Sequence, residues 1–227
     1  ALAGLNRLMR AAGDARAELE HLLKDTLPMI LPVQQSPSAA AQGALAVECR
    51  RNDARTREVL ARLHDEASAR SAASERKILE EWGGGCHQRF GATSVRHPEL
   101  GDVLYIRGKR PGSEVPVFEV RWERPSRAAG EVKAWDGSRH RLKARETSAA
   151  ASRMPAIGPG DAVFVAHHRA LPADVSALKN ARIWAAGVMS WEKLAERGLW
   201  VEGCAEGLGE SFLVDTLRAL ALRLPEP

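Results

Sequence analysis

The segment ERKILEEWGGGCHQRFGA, residues 75–92, contains the change from helix to strand that decides the fold. Its first half places Ile78 and Trp82 at helical spacing, which predicts a helix with one apolar face. Glycines at 83–85 predict the end of this helix, because glycine is favoured just past a helix C-terminus. Beyond them the hydrophobic period changes to two, which is typical of β-strands.

Short polar turns separate three β-type segments in this part of the chain. The segments are HQRFGATSV (87–95), DVLYIRGKR (102–110) and VPVFEVRWE (115–123). Turns of this length connect antiparallel neighbours. We therefore predict a small domain over residues 65–124 that combines a helix with a three-stranded antiparallel sheet.

The flanking sequence predicts the rest of an α/β (α+β) fold. Residues 1–24 are helical with a break near Gly13, while LPMILPV (27–33) and ALAVECR (44–50) indicate strands. We assign 1–64 to the end of an α/β domain and 125–157, rich in small and polar residues, to a linker. In the tail, 158–227, two strand-like runs precede helices at about 190–197 and 210–222, which indicates a βαβα-like arrangement.

Composition excludes several classes of protein. The 227 residues carry a formal net charge of +4, three cysteines without a CxxC pair, and no run of about 20 apolar residues. We expect a cytoplasmic protein with reduced thiols that does not bind a membrane. We also expect no nucleic-acid binding, because the basic residues lack the interspersed aromatic residues that are typical of proteins that bind single strands. The chain begins without Met inside a helix, so we expect it to be part of a longer protein.

Cys86 is the residue with the clearest chemical potential. It follows three glycines, on backbone that has no side chains to obstruct it, and Arg76, His87 and Arg89 lie close in sequence. Positive neighbours raise the thiolate fraction of a cysteine, so Cys86 could be a nucleophile or a point of covalent attachment. The alternative is a glycine helix stop followed by a small buried residue.

Other candidate residues carry weaker signals. Adjacent His167 and His168 follow a strand-like run, so we expect them on opposite faces and predict no metal site. Cys49 lies in a predicted strand and is expected in the core. Glu202 and Glu206 flank Cys204, which predicts a poor nucleophile.

Three colinear motifs carry a resemblance to a known family: AGLNRL (3–8), LP…AQGALAVECR (31–50) and SERKILEEWGGGCHQRFGA (74–92). Together they resemble hydroxymethylbilane synthase, also called porphobilinogen deaminase, over roughly residues 2–122. This chain departs from the family's pattern in two places. Residues are inserted in the run LPVQQSPSAAAQG, and His-Gln-Arg-Phe replaces the family's Gln-x-Pro-Ile after the cysteine.

The resemblance implies a three-domain enzyme of tetrapyrrole biosynthesis that adds four porphobilinogens with loss of ammonia. It implies that Cys86 holds a dipyrromethane cofactor through a thioether. Arg7 would bind a carboxylate of cofactor or substrate, and Gly4 and Gln42 would line the cofactor pocket. The family's catalytic Asp belongs to an N-terminal domain upstream of Ala1, so we assign no catalytic residue here and expect this chain alone to be inactive.

The implied partners are porphobilinogen, the pyrrole-chain intermediates and the missing N-terminal domain, in a monomeric protein. The tail resembles the end of uroporphyrinogen-III synthase, with Gly187, Ser190, Leu194 and Gly198 in that family's spacing. This leaves two alternatives, a bifunctional fusion and a non-catalytic remnant that serves as an interaction module. We also expect an apolar cluster in the tail, formed by Trp184, Trp191, Leu194 and Trp200.

Overall fold

A computed structural model describes residues 2–11, 13–85, 89–97, 101–123 and 156–223. The chain divides into two compact units. We call Val33–Arg127 the antiparallel unit, and Ala1–Pro32 together with Ala128–Pro227 the parallel unit. Among the described helices, none has the length and apolar character needed to cross a membrane.

Six α-helices and six strands are present in the described residues. The helices are α1 (Leu2–Met9), α2 (Asp14–Leu23), α3 (Ala54–Ala61), α4 (Glu66–Glu81), α5 (Val188–Glu196) and α6 (Val214–Leu217). The strands are β1 (Phe90–His97), β2 (Gly101–Lys109), β3 (Pro116–Glu123), β4 (Ala162–Val165), β5 (Arg182–Ala185) and β6 (Val201–Cys204).

The antiparallel unit confirms the predicted helix-plus-sheet arrangement. Its strands pair antiparallel in the order β1-β2-β3, with Tyr105 opposite both Thr93 and Val120. Helix α4 lies on this sheet because its apolar face meets the alternate residues that the pleat presents on one side. Their shared core consists of Ile78, Trp82, Ala92, Leu104 and Ile106.

The parallel unit confirms the mixed α/β character of the tail. Strands β4, β5 and β6 pair in parallel, and α5 connects β5 to β6. The N-terminal helices pack in the same unit, where Met9 and Leu19 contact Ala221. The indole N–H of Trp200 also donates to the Pro28 carbonyl at 3.0 Å.

This packing divides the chain at Pro32, whereas the predicted boundary lay near His64. Residues 33–64 group with the antiparallel unit, and residues 1–32 group with the tail. The assignment of 1–64, 65–124, 125–157 and 158–227 to domains of a longer protein stays a prediction. Most of the predicted linker lies outside the described residues.

The two predicted strands before α3 are wrong. The run 27–33 is not a strand: Pro28 and Pro32 cannot donate to a ladder, and Ile30 makes a backbone bond to Glu202 at 2.6 Å. The run 44–50 is exposed throughout and belongs to neither sheet, because a strand forms only where a neighbour pairs with it.

The predicted helix over 210–222 is interrupted. The structure has a 3₁₀ turn at Glu210–Leu213, the short α6, and a second 3₁₀ turn at Leu220–Leu222. Leu213 and Leu222 pack in one cluster with Trp184. Positions nine residues apart face opposite sides of a continuous helix, so one helix could not bring both of these leucines to the same tryptophan.

Candidate functional site

The glycine run after α4 forms a turn that only glycine accommodates easily. The N–H of Gly84 donates to the Leu79 carbonyl at 2.8 Å, and the N–H of Gly83 donates to Glu80 at 3.0 Å. This pair of bonds is the Schellman pattern of a helix C-terminus. The φ angles at residues 83, 84 and 85 are +94°, +66° and +89°, a region that L side chains disfavour.

Cys86 follows this turn directly, but residues 86–88 lie outside the described part of the chain. Its role as the attachment residue therefore stays a prediction. The structure does describe both flanks of this segment, which we call the cysteine loop (86–88). On one side is the helix cap Trp82, and on the other is Phe90, the first residue of β1.

The flanks of the cysteine loop are packed against each other. The rings of Trp82 and Phe90 lie 4.8 Å apart between centroids, and Trp82 is only 3% exposed. The Arg110 guanidinium carbon lies 4.8 Å from the Trp82 ring centroid, within the range of a cation–π interaction. These contacts fix the two points between which the loop must run.

Glu75 joins the flanks to the segment that carries Gln42. Its carboxylate accepts a hydrogen bond from the backbone N–H of Ala41 at 2.6 Å and a second from Ser94 at 2.7 Å. Glu75 is 7% exposed, so these charge-assisted bonds form in a shielded environment. Sequence reasoning missed this residue, although a carboxylate at the apolar spacing of Ile78 and Trp82 was a signal for it.

A second set of contacts holds the same segment on the sheet. The Ala92 N–H donates to the Ser38 carbonyl at 2.9 Å, and the Ser38 N–H donates to the Thr93 hydroxyl at 2.7 Å. Gly91 makes room for this approach, because a Cβ there would lie 2.4 Å from the Pro37 carbonyl oxygen. We call residues 38–43 the anchored segment.

Gln42 lies at the end of the anchored segment. Its side-chain oxygen accepts from the Ala39 N–H at 3.3 Å, and the residue is exposed. On either side, Ala41 and Gly43 have φ of +59° and +97° and line a wide depression of about 1040 Å³. Gln42 is thus beside a concave surface, which is compatible with the predicted pocket role.

Gly4 and Arg7 lie one turn apart on α1, and both are exposed. A Cβ added at Gly4 would meet nothing within 4 Å, so packing does not require glycine there. Both residues belong to the parallel unit. The structure thus places Gln42 on a segment that is hydrogen-bonded to α4 and β1, the two elements on either side of Cys86, and it places Gly4 and Arg7 in the other unit.

Comparisons with known proteins identify similar sequences. No protein-family profile matches the chain, and no solved structure matches it. Curated relatives do match. This chain is similar to porphobilinogen deaminase. The protein of that name from Mycobacterium avium (strain 104) is 48% identical over 80 residues, 34% of this chain and 25% of that protein.

Other porphobilinogen deaminases match over longer stretches. The one from Nocardia farcinica (strain IFM 10152) is 42% identical over 138 residues, 57% of this chain and 36% of that protein. The one from Prochlorococcus marinus (strain MIT 9515) is 33% identical over 107 residues, 45% of this chain and 33% of that protein. The chain thus spans about a quarter to a third of the length of these porphobilinogen deaminases.

Two cysteines lie within the described residues, and they differ sharply. Cys49 is exposed, so its predicted place in the core is wrong; its segment pairs with none of the six strands that the structure describes. Cys204 is buried, and burial together with the neighbouring Glu206 carboxylate raises the pKa of its thiol to about 12. The prediction that Cys204 is a poor nucleophile is confirmed.

The adjacent histidines do not occupy opposite faces of a strand. Strand β4 ends at Val165, and the rings of His167 and His168 stack at 4.5 Å between centroids. Burial, together with electrostatic interactions with neighbours that include Arg169 and Arg197, lowers the pKa of His168. In the described part of the chain, no group of three or more His, Cys, Asp or Glu residues is arranged to hold a metal ion.

The four residues behind the tail's resemblance to uroporphyrinogen-III synthase each have a packing role. Gly187 begins α5, the Ser190 hydroxyl accepts from the His168 N–H at 3.3 Å, Leu194 is fully buried, and Gly198 has a φ of +78° just past α5. Folding alone therefore accounts for this pattern, and kinship with that synthase stays a prediction.

The predicted apolar cluster of the tail is only partly present. Leu194 lies in one buried cluster, against which Trp191 packs, and Trp184 lies in another. Trp200 is 45% exposed. The indole N–H of Trp191 donates to the Val201 carbonyl at 3.2 Å, so this half-buried ring bridges α5 and β6.

Proposed function

We propose that this chain is the part of a porphobilinogen deaminase that carries the covalent cofactor. In this proposal, Cys86 binds a dipyrromethane through a thioether, and the full-length protein builds the linear tetrapyrrole from porphobilinogen. One observation carries the proposal. Glu75 accepts backbone hydrogen bonds from Ala41 of the anchored segment and from Ser94 of β1, and this contact supports the proposal because it joins two of the three motifs shared with the enzyme family, 31–50 and 74–92.

The surroundings of the loop fit such a group. A Cβ added at Gly84 would meet no atom of the described residues within 4 Å. The glycine turn carries no side chain that could cover the sulfur. Arg89 and Arg110, beside the loop flanks, supply positive charge for a ligand whose pyrrole rings carry acetate and propionate groups.

The attachment step is balanced without an external oxidant or reductant. The Cys86 thiol loses its proton, its sulfur bonds to the methylene carbon of an aminomethylpyrrole, and ammonia leaves with that proton. When bound, the dipyrromethane supplies the terminal pyrrole carbon at which the chain is extended. This chain's residues contribute the sulfur, the glycine turn that leads to it, and positive charge.

The remaining roles follow from the resemblance and are part of the proposal. Arg7 binds a carboxylate of the cofactor or substrate with its planar guanidinium, and Gly4 and Gln42 line the cofactor pocket. The catalytic acid belongs to an N-terminal domain that precedes this chain in the full-length protein. The proposal also places the protein in the cytoplasm as a monomer, with porphobilinogen and pyrrole-chain intermediates as its partners.

The decisive experiment measures the intact mass of the full-length protein after expression. We expect an increment equal to two linked pyrroles, and peptide mapping should locate it on Cys86. Cys86→Ser should lack the increment, whereas Cys49→Ser, which changes the exposed cysteine of the same unit, should keep it. An active enzyme with an unmodified Cys86 would overturn the proposal, and a folded, unmodified, inactive protein would favour the non-catalytic remnant.

Arg7 is tested by substitution in the full-length protein. A charge-assisted bidentate contact contributes roughly 1.5–3 kcal/mol, so Arg7→Leu should impair cofactor assembly or chain extension. Arg7→Lys should recover only part of the activity, because an ammonium lacks the planar fork. Arg10→Leu, on an exposed residue that follows the same helix, is the matched control. Unchanged rates in Arg7→Leu would rule out the assigned role.

A further inference from the structure

The tail presents an apolar surface to the two N-terminal helices. Buried Met9 of α1 and Leu19 of α2 share one cluster with Ala221 of the tail. Leu2 of α1 packs against this cluster and also against a second one, which contains Leu222. In the described residues, the main neighbours of α1 are accordingly α2 and the last 3₁₀ turn of the tail.

Two side chains of the tail fasten the segment that follows α2. The Trp200 indole N–H donates to the Pro28 carbonyl at 3.0 Å, and the Arg223 guanidinium donates to the Thr26 carbonyl at 2.9 Å. These bonds join positions that are 172 and 197 residues apart in sequence. We call Trp200 and residues 221–223 the helix seat.

An ion pair joins the helix seat to the parallel sheet. The Arg182 guanidinium of β5 donates to both carboxylate oxygens of buried Glu202 on β6 at 2.7 Å, and to the Leu222 carbonyl at 2.6 Å. Charge-assisted hydrogen bonds are stronger than neutral ones. The Glu202 carbonyl in turn accepts from the Ile30 N–H at 2.6 Å. The helix seat and the segment bound to it are therefore anchored on the same two strands.

The helices depend on this support. Helix α2 has ten residues, and isolated helices shorter than about 12–15 residues are only marginally stable in water. Its end is held indirectly by the tail: the N–H and hydroxyl of Thr26 donate to the Leu23 carbonyl at 3.0 and 2.8 Å, and Arg223 binds the Thr26 carbonyl. Because α1 packs on α2 and on the tail, the position of α1 is set by the helix seat.

The face of α1 opposite the helix seat carries two of the predicted site residues. Leu2, Leu5 and Met9 recur at helical spacing and pack toward the tail, whereas Gly4 and Arg7 are exposed. A bidentate contact from a guanidinium requires a narrow range of geometry, and a misplacement of about 1 Å can lower a rate about 100-fold. The support behind α1 therefore determines where the Arg7 guanidinium meets a carboxylate.

We propose that the helix seat is a positioning element of the deaminase reaction, which holds α1 so that Arg7 is presented to its carboxylate. This inference rests on the proposed function. It gives the tail a part in that reaction, although the tail lies outside residues 2–122, the stretch that resembles the deaminase. On this reading the tail is required for synthesis of the linear tetrapyrrole without any ring-closing activity of its own.

The first measurement is hydrogen exchange in the full-length protein. Trp200→Phe/Arg223→Gln removes both side-chain bonds to residues 26–28, so we expect amides of α1 and α2 to exchange about tenfold faster. Arg223→Lys keeps a donor and should recover part of the protection. Trp191→Phe is the matched control, because it removes an indole bond of 3.2 Å that lies within the tail, to Val201, and it should leave exchange in α1 and α2 unchanged.

A double-mutant cycle with Arg7 separates positioning from stability. We expect Trp200→Phe/Arg223→Gln to lower kcat/KM for porphobilinogen at least about fivefold when Arg7 is present. Combined with Arg7→Leu, the same pair should have less than about a twofold further effect, because no guanidinium is left to position. Unchanged exchange in β1–β3 would show that the variants remain folded. Trp191→Phe should have the same small effect in both backgrounds.

The failure of this inference is distinguishable from that of the proposed function. If Cys86 carries the cofactor, but exchange in α1 is unchanged in Trp200→Phe/Arg223→Gln or its kinetic effect simply adds to that of Arg7→Leu, the helix seat does not position Arg7 and the proposed function stands. If Cys86 is unmodified and the full-length protein is inactive, the proposed function fails and this inference fails with it.

Discussion

Replacing Glu75 should detach the anchored segment from the antiparallel unit. The Glu75 carboxylate accepts backbone hydrogen bonds from Ala41 and Ser94 at 2.6 and 2.7 Å, and each hydrogen bond to a charged group contributes about 1.5–3 kcal/mol. Glu75→Ala removes both acceptors. Because the freed N–H groups are only partly buried and can bind water, we expect a loss of about 3 kcal/mol, the lower end of the summed range.

Glu75→Gln separates charge from shape. The amide keeps one acceptor oxygen but turns a donating NH₂ toward the second N–H, so one of the two bonds is lost. We expect a loss of about 2 kcal/mol, between the wild type and Glu75→Ala. Glu80→Ala is the matched control, since Glu80 is exposed on the same helix, and it should change the stability by less than about 0.5 kcal/mol.

The assay is urea unfolding combined with hydrogen-exchange mass spectrometry. Exchange is read on peptides that cover the anchored segment and β1, because a chain of two units need not unfold in a single transition. In Glu75→Ala the Ala41 and Ser94 amides should lose protection before the rest of the sheet does. Equal unfolding free energies for Glu75→Ala and Glu80→Ala, with unchanged protection at these two amides, would refute the reasoning.

Three further predictions concern backbone strain, a thiol and a buried ion pair. Ala41→Gly should raise the unfolding free energy by about 0.5–1 kcal/mol in urea titrations, because a positive φ costs alanine about 1–2 kcal/mol and glycine's extra unfolded-state entropy offsets part of that gain. At pH 8, iodoacetamide should alkylate exposed Cys49 but leave Cys204 unmodified until the chain unfolds, because the raised pKa of about 12 keeps the buried thiol protonated. Arg182→Leu should cost about 3–5 kcal/mol in the parallel unit, measured by thermal unfolding, because it strands the Glu202 carboxylate, which is 2% exposed.

Each of these changes has a control and a contrary outcome. Ala39→Gly, at a neighbouring position without a positive φ, should be destabilising, and equal effects at 39 and 41 would contradict the strain argument. Raising the pH from about 9 to 12 should destabilise the parallel unit, since the unfolded chain ionises Cys204 first. Lys193→Ala breaks an exposed ion pair with Glu196 and should change the stability very little. If Arg182→Leu costs no more than Lys193→Ala, the argument that Arg182 stabilises the buried Glu202 carboxylate fails.

Local sequence signals predicted the antiparallel unit well. The signals for this unit are the apolar spacing of α4, the glycines that end it and the period of two in β1–β3. Each signal depends only on residues that are close in sequence. Together they predict which side chains face the core, including Ile78, Leu104 and Ile106. Strand predictions failed where pairing depends on distant chain. Leu45 and Val47 alternate as a strand should, yet Leu45 is 93% exposed, and none of the strands in the described residues pairs with this run.

The candidate site was predictable only in part, for a related reason. Cys86 and its glycines form a local motif, so the sequence alone indicates them. Glu75 acts on groups 34 residues before it and 19 residues after it, and no local pattern indicates which backbone amides a buried carboxylate will meet. Arg89 and Arg110 were visible as charge, but their proximity depends on the pairing of β1 with β2.

These long-range contacts hold the run before Gln42 on the sheet, in the place where the sequence departs from the pattern of the family that it resembles. Within the insertion, the Gln35 carbonyl accepts from Arg107 on β2 at 2.7 Å, and Ser38 bonds to Thr93 on β1. Lengthening a surface loop costs little entropy, whereas displacing a hydrogen-bonded end costs the bonds themselves. The run before Gln42 is thus held at Gln35 and Ser38, and Glu75 holds its end through the Ala41 N–H.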